Sequence, residues 1–286
     1  MGSLTDAVSL VKSVWAMICA LMLMICGTID VGQPQEAELI DTQTFVMTDA
    51  LTRAQGMTTD GEYYYFSSNF FMLKTTLEGE KVKENLAAIP ADLLLKGSNH
   101  IGGISWCNGK LYAAVEDGDD YLNPYIVIYD PQTLKPTGER YLLPQELHVE
   151  GVPWCAADAD RGVLYTAEWS NAAVLNVFDL ETMQLIKTVA LTDQSGAPAT
   201  LHRIQGSEVY NGMLYCSSDI GSEQPVYEVD PETGVIRELF VRNLLDAEAE
   251  GMTILQDGND IVFVCMDIGR INGSAICVNL RKYKCE

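Results

Sequence analysis

The stretch His148-Val-Glu-Gly-Val152 decides the fold, because versions of it recur along the chain. Each version has a polar or charged residue, then a small or aliphatic one, then a position that is usually polar, and then glycine. The other four are Arg53-Ala-Gln-Gly-Met57, His100-Ile-Gly-Gly-Ile104, Arg203-Ile-Gln-Gly-Ser207 and Glu248-Ala-Glu-Gly-Met252. Their glycines are spaced 47, 48, 55 and 45 residues apart. Self-similarity at about 40–50 residues is typical of a β-propeller, in which each period forms one four-stranded blade.

The residues after each glycine support this interpretation. A hairpin signal such as Asn108-Gly109 or Asn211-Gly212 follows within a few residues, and apolar runs of strand length come next. Three periods also share a related turn that begins with Asp130, Asp179 or Asp230, whose carboxylates can cap the turn. The sequence therefore predicts an all-β fold, a single five-bladed β-propeller of four-stranded blades over residues 39–286.

The fifth period stops after its third strand, which leaves one strand position unfilled. Residues 39–47 alternate loosely with β-favouring residues and precede the first glycine phrase. We expect this N-terminal strand to complete the fifth blade, because sharing a blade between the two ends of the chain closes the ring. Closure also removes a free sheet edge, which would favour aggregation.

Residues 14–26 form an unbroken apolar run, which predicts an N-terminal hydrophobic helix. The run is shorter than the roughly 20 residues that span a membrane, and it fits the apolar core of an export signal. We interpret residues 1–27 as a signal peptide or signal anchor and residues 28–38 as a linker. The protein is then extracytoplasmic, either secreted or held at the membrane by this segment.

The charge balance excludes several partners. The chain has 18 Lys and Arg against 40 Asp and Glu, a net charge of −22. Nucleic acids and anionic lipid surfaces require clustered positive charge, so we expect neither as a partner, apart from membrane contact through the N-terminal segment. We expect a monomer.

Alternation within the glycine phrases predicts a polar channel, because residues i and i+2 of a strand share a face. Apolar residues lie between the two polar positions of each phrase, so the polar face points to the propeller axis. The candidate ligand-binding residues form two rings, with His202 beside one member. They are Arg53, His100, His148, Arg203 and Glu248 in the first ring, and Gln55, Glu150, Gln205 and Glu250 in the second.

Three interpretations of these rings remain open. In the first, the channel is structural, and Glu248 pairs with Arg53 and Arg203 to hold it together. In the second, the channel binds a small anionic or zwitterionic molecule, with Trp106 and Trp154 as an aromatic wall. In the third, which is a minority hypothesis, His100, His148 and Glu150 hold a divalent metal. We otherwise expect no cofactor.

The Asp-Pro-Glu-Thr-Gly234 turn and the blade plan resemble the YVTN/NHL-like propeller superfamily, a resemblance that implies the fold. The phrases Ala54-Gln-Gly-Met57 and Asn108-Gly-Lys-Leu-Tyr112 resemble those of the five-bladed glutaminyl cyclotransferases of plants and bacteria. That resemblance implies that Gln55 lies in a substrate pocket. The family's Asn-Glu pair is replaced by Leu201-His202 or His202-Arg203, and its acidic residue has no counterpart in residues 65–69.

No nucleophile–base motif, phosphate-binding loop or dinucleotide fingerprint occurs in the sequence. We therefore expect a propeller that binds a small polar ligand in its central channel. The first alternative is an enzyme, cyclotransferase-like or lyase-like, that uses the same channel residues. The second is a protein-interaction platform that uses the loops around the channel.

Overall fold

The computed structural model describes residues 36–46, 48–118, 120–258, 260–271 and 274–285. The hydrophobic helix predicted within residues 1–27 and most of the predicted linker lie outside this part of the chain. Over the described residues, helices are too short and too polar to cross a membrane.

Twenty strands form five antiparallel four-stranded sheets, as the repeat predicts. The first blade consists of β2 (Met57–Thr59), β3 (Tyr63–Ser68), β4 (Phe71–Thr76) and β5 (Lys81–Asn85). The second consists of β6 (His100–Cys107), β7 (Lys110–Glu116), β8 (Tyr125–Tyr129) and β9 (Pro136–Leu142). The third consists of β10 (Ala156–Asp158), β11 (Val163–Thr166), β12 (Val174–Asp179) and β13 (Leu185–Ala190).

The fourth blade consists of β14 (Ile204–Tyr210), β15 (Met213–Ser218), β16 (Glu223–Val229) and β17 (Ile236–Asn243). The fifth consists of β18 (Ala247–Asp257), β19 (Asp260–Ile271), β20 (Ser274–Cys285) and β1 (Ala37–Val46). The first strand of the chain thus supplies the outer strand of the last blade, which confirms the predicted closure. β1 pairs with β20 from Ala37 opposite Cys285 to Val46 opposite Cys277.

The apolar runs predicted as strands form the packing between blades. Tyr165 and Leu175 of the third blade pack with Leu214 and Cys216 of the fourth in one buried cluster. Inner and middle strands are buried, whereas the outer strand β5 is exposed along most of its length. This gradient explains why the middle strands are continuous apolar runs, whereas outer strands such as β5 are largely polar.

Glycines in the inner strands allow the blades to approach each other around the axis. The backbone N–H of Gly251 donates to the carbonyl of Gln55 in the next blade at 2.8 Å. A Cβ placed on Gly251 would lie 2.4 Å from the backbone nitrogen of Met57. The recurrent glycine is therefore required by close backbone contact between neighbouring blades.

The third blade departs from the alignment of the repeat. The N–H of Gly103 donates to Pro153 as Gly251 does to Gln55, so Trp154 occupies the glycine position of this blade. His148 follows a short 3₁₀ helix (Gln145–Leu147), and Gly151 lies in a turn with φ of 84°. Gly151 thus lies three residues before the glycine position of its blade. The prediction that His148 and Glu150 belong to the inner strand is therefore wrong, because both precede it.

The connections divide between the two ends of the channel. One end, called the cavity end because the cavity described below opens there, holds the connections that precede the inner strands. It also holds the connections that join the second strand of each blade to the third. Helix α1 (Thr48–Leu51) and helix α2 (Ala91–Leu94) both lie in connections at this end. The opposite end holds the turns between the first and second strands and between the third and fourth.

Candidate functional site

A cavity of about 470 Å³ opens where the five inner strands begin. Side-chain amides, two carboxylates, an imidazole and three aromatic rings surround it. Its lining residues are Gln55, Asn69, Phe70, Asn99, His100, Glu116, Gly118, Tyr121, Glu150, Pro153, Trp169 and Gln205. Concave sites with convergent polar groups and aromatic walls are typical of small-molecule binding.

One wall of the cavity is a hydrogen-bonded chain across three blades. His100 Nε2 lies 2.6 Å from Gln55 Oε1, and His100 Nδ1 lies 3.2 Å from Glu116 Oε1. The second oxygen of Glu116 accepts the backbone N–H of Val152. Glu116 is only 4% exposed, so these contacts fix its carboxylate and the imidazole in one orientation.

The displaced glycine phrase forms the neighbouring wall. A Cβ on Gly151 would lie 2.3 Å from Glu116 Oε2, so glycine is needed there for space and for its positive φ. Glu150 projects beside it, and its carboxylate accepts the backbone N–H of Ser170 at 3.1 Å. Burial, and then the charge of Glu150, raise the pKa of Glu168. This side of the cavity therefore has a negative potential.

Four of the residues that the sequence singled out line the cavity. They are Gln55, His100, Glu150 and Gln205. The side chains of Arg53, His148, His202, Arg203, Glu248 and Glu250 lie outside this lining.

Arg53 points away from the channel and is 2% exposed. Its guanidinium donates to the carbonyls of Asp49 at 2.8 Å and Gly79 at 2.9 Å, and it lies 3.9 Å from the ring centre of Phe45. Burial lowers its pKa. Arg53 therefore joins the first blade to β1 of the fifth.

His148 is fully buried and stacks on Phe178. Its Nδ1 lies 2.9 Å from the carbonyl of Pro144, and its Nε2 lies 2.8 Å from Thr166 Oγ1. Burial lowers the pKa of His148, so the neutral imidazole is favoured. Such a satisfied histidine holds the connection in place and does not face the cavity.

Arg203, His202 and Glu248 lie near the cavity end but outside the lining. Arg203 pairs with Asp219 at 2.6 Å, and its guanidinium lies 4.5 Å from the ring centre of Trp169. Glu248 pairs with Arg270. The hypothetical triad of Glu248 with Arg53 and Arg203 is therefore not formed. The backbone carbonyl of His202 accepts a hydrogen bond from the hydroxyl of Ser218. The imidazole Nδ1 of His202 is buried without a hydrogen-bond partner among the described residues.

Glu250 belongs to the same ring position as Gln55 and Gln205, between their two blades. It is 2% exposed. Burial, and then the neighbouring charge of Asp219, hold its pKa well above the usual range, although Arg203 acts in the opposite direction. Glu250 is not among the residues that line the cavity, so its neutral carboxyl group is part of the packing between blades.

The three residues of the metal hypothesis are not brought together. Within the described residues, groups of three or more His, Cys, Asp or Glu side chains that could hold a metal ion are absent. His100 is engaged by Gln55 and Glu116, and His148 is in the core.

Sequence reasoning missed the cavity residues contributed by the connections. Asn69 and Phe70 form the turn after β3, and Glu116 ends β7, close to Tyr121. Their positions in the repeat could have identified them, because the residues that follow each second strand lie at the opening of the cavity. The predicted aromatic wall is different as well. Trp154 is buried, Trp106 lines a cavity at the opposite end, and Trp169 lines this one.

The carboxylate of Glu208 links the inner strands of three blades. Glu208 Oε2 accepts the hydroxyls of Thr58 at 3.0 Å and Thr253 at 2.9 Å, which come from two other blades. Burial raises the pKa of Glu208 to about 7, although both threonine contacts lower it. Glu208 also lines the smaller cavity, of about 270 Å³, at the opposite end.

The sequence matches no family model and no curated protein. Solved structures with the same fold do match. The crystal structure of Myxococcus xanthus glutaminyl cyclase superposes with a TM-score of 0.58 at 16% identity, covering 89% of this chain and 100% of that chain. The resemblance to five-bladed glutaminyl cyclotransferases is thus supported at the level of fold.

Other neighbours have unrelated roles. A GH43 β-xylosidase/α-arabinofuranosidase from a compost microbial metagenome has a TM-score of 0.55 at 12% identity, covering 86% of this chain and 95% of that one. The tail fibre of a Staphylococcus aureus phage has a TM-score of 0.52 at 15% identity, covering 87% and 53%. At such identities the likeness shows the fold, and function must be argued from the site.

Proposed function

We propose that this propeller binds a small polar molecule in the cavity, and that the molecule carries a protonated amine. The observation that supports this most directly is the charge of the lining. Glu116 and Glu150 are part of it, whereas Lys and Arg are absent from the lining that the structure describes. An ammonium group would offset the negative potential around Glu150 and Glu168.

The amide side chains in the lining make a zwitterionic ligand possible as well. Gln55, Asn69, Asn99 and Gln205 surround the same space, and a carboxamide group offers both donors and acceptors. They can donate to a carboxylate or hydroxyl of the ligand while Glu150 accepts from its amine. A purely anionic ligand is disfavoured, because Arg53 is buried elsewhere and Arg203 is paired with Asp219. In keeping with the apolar run at residues 14–26, we place this activity outside the cytoplasm.

Three probes of equal chain length test the charge preference: n-butylamine, γ-aminobutyrate and butyrate. We expect the first two to raise the melting temperature and butyrate to leave it unchanged, because only the first two carry an ammonium group. Glu150→Gln should abolish the response while leaving the unliganded melting temperature unchanged, since Glu150 is exposed.

The matched control is Glu181→Gln, an exposed carboxylate in a turn at the opposite end. It should respond to the probes as the original protein does. A response to butyrate alone, or a response that persists in Glu150→Gln, would contradict the proposal.

A second candidate function is acyl-transfer chemistry of the cyclotransferase kind, which the fold shared with Myxococcus xanthus glutaminyl cyclase favours. On this hypothesis, peptides with N-terminal Gln release ammonia in the presence of the protein. Absence of ammonia release at high protein concentration would remove this candidate and leave the binding proposal intact.

A further inference from the structure

Large apolar side chains are exposed in several connections at the end of the channel where the cavity opens. Each lies in a connection at the cavity end, and together they are called the collar here. The collar consists of Leu51, Phe70, Leu94, Leu95, Leu122, Val149, Ile220 and Leu245. Leu95 is 90% exposed and Leu245 is 84% exposed, so these side chains contribute almost nothing to the core.

Among the residues that the structure describes, the turns at the opposite end have no counterpart of the collar. Apolar residues do occur in its turns, but Leu134, Leu180 and Met183 are buried there. Its remaining turn residues are mostly Asp, Asn, Thr and Gly. Among the connections, exposed large apolar side chains thus belong to the cavity end, although Leu185 and Ile186 are exposed where the outer strand β13 begins at the other end. Clustered exposed apolar side chains of this kind mark interaction surfaces.

A small ligand does not account for the collar. Phe70 is the one collar residue in the cavity lining that the structure describes, and the others stand outside it. A molecule that contacts both regions must extend beyond the cavity and must itself have apolar parts.

The negative charge of the connections at the cavity end indicates the charge of the partner. Glu146, Glu150, Glu168 and Asp246 all lie in its connections. The described Lys and Arg of the same connections are already engaged by the protein. Arg53 contacts backbone carbonyls, Lys96 donates to Tyr125 at 2.8 Å, and Arg203 pairs with Asp219. The complementary partner is basic, and an anionic lipid surface is disfavoured.

We propose that the cavity end binds a polypeptide segment that is both basic and apolar. Its leucine-like side chains contact the collar, and one of its Lys side chains enters the cavity, where Glu150 accepts from the ammonium group. The amides of Gln55, Asn69 and Gln205 match the alternating donors and acceptors of a peptide backbone. This inference rests on the proposed amine site and names the molecule that carries the amine.

The probe is a short synthetic peptide with alternating Lys and Leu, acetylated at its N-terminus so that only side-chain amines are present. A Lys/Gln peptide removes the apolar residues, and a Glu/Leu peptide reverses the charge. We expect the Lys/Leu peptide to bind at least about tenfold more tightly than either, as measured by fluorescence anisotropy. Equal affinity for the Lys/Gln peptide would overturn the role of the collar, and equal affinity for the Glu/Leu peptide would overturn the charge argument.

Two variants locate the binding. Leu95→Ser with Leu245→Ser should weaken the peptide complex about tenfold without changing the response to n-butylamine. Val82→Ser is the matched control, because Val82 is 50% exposed on the outer strand β5, away from the collar. Peptide affinity that survives the collar variant would refute this inference and leave the amine site standing. Failure of both n-butylamine and peptide would refute the amine site itself. Cosedimentation with phosphatidylcholine vesicles that depends on the collar would reassign it to a membrane.

Discussion

At the cavity end most connections that precede the inner strands are long, and the connections carry exposed leucines, carboxylates and amides, whereas the turns at the opposite end are short and polar. The same five inner strands run between the two ends. Asp117 organises one long connection by accepting the N–H groups of Asp120, Leu122 and Asn123. Asp230 at the opposite end accepts only from its own turn. Capping at one end thus shapes a mouth, and at the other it reverses the chain.

The glycines also have different roles at the two ends of the channel. Near the cavity end, Gly56, Gly206 and Gly251 touch the backbone of the next blade. At the opposite end, Gly61 and Gly109 have positive φ and open space around the missing Cβ. Glycine provides close approach at one end and backbone freedom at the other.

The largest expected effect separates these two roles. Gly251→Ala places a methyl group against the backbone of Met57, so we expect a loss of more than about 3 kcal/mol in the free energy of unfolding, or failure to fold. Gly109→Ala, with φ of 75° and no close atoms, should cost about 1–2 kcal/mol. Urea denaturation of the two variants measures the difference. Equal losses would mean that the blades do not meet as described.

The second-largest expected effect is a pH dependence of the free energy of unfolding that arises from Glu208. Its pKa is raised from 4.5 to about 7, so its contribution to stability is present below pH 4.5 and is lost as the pH rises to 7. At 1.36 kcal/mol per pKa unit, the loss is about 3 kcal/mol. We expect Glu208→Gln to become progressively more stable than the original protein over this range.

Urea denaturation at a series of pH values measures that trend, and Glu181→Gln serves as the exposed control. A pH profile identical to that of the original protein would contradict the raised pKa of Glu208.

The smallest effect is expected at a turn of the opposite end. Asp230→Ala removes hydrogen bonds from Glu232 N–H and Thr233 Oγ1 and should cost about 1 kcal/mol at neutral pH. The bond from Thr233 and the backbone contacts lower the pKa of Asp230, so the cost should disappear as the pH falls below 3.8. Affinity for n-butylamine should not change. A weakened amine site in this variant would show that the two ends are coupled.

The sequence predicted the fold because its signals are local and repeated. Hairpin dipeptides such as Asn108-Gly109 and Asn211-Gly212, followed by buried runs, predicted nearly every strand to within a few residues, and residues 39–47 were correctly assigned to the last blade. The register of the third blade was missed. Eleven positions separate Gly151 from Gly162, but only six separate Gly103 from Gly109, and this longer interval was the available warning.

The candidate site was predicted less well, because ring geometry assumes regular strands up to the channel mouth. The assumption holds for Gln55 and Gln205, which line the cavity. It fails for Arg53, which precedes its strand and turns toward Phe45, and for His148, which follows a 3₁₀ helix. Irregular connections set the direction of these side chains, and no periodic signal encodes them.

The pairing of β1 with β20 has a consequence for synthesis. Thr44 donates to Asn279 at 2.8 Å across 235 residues, so the ring cannot close until nearly the whole propeller has left the ribosome. Until then the nascent chain presents an unpaired strand at its front and an uncovered flank on its first blade. We therefore expect late and slow closure of the ring and a need for chaperones that shield strand edges in the meantime.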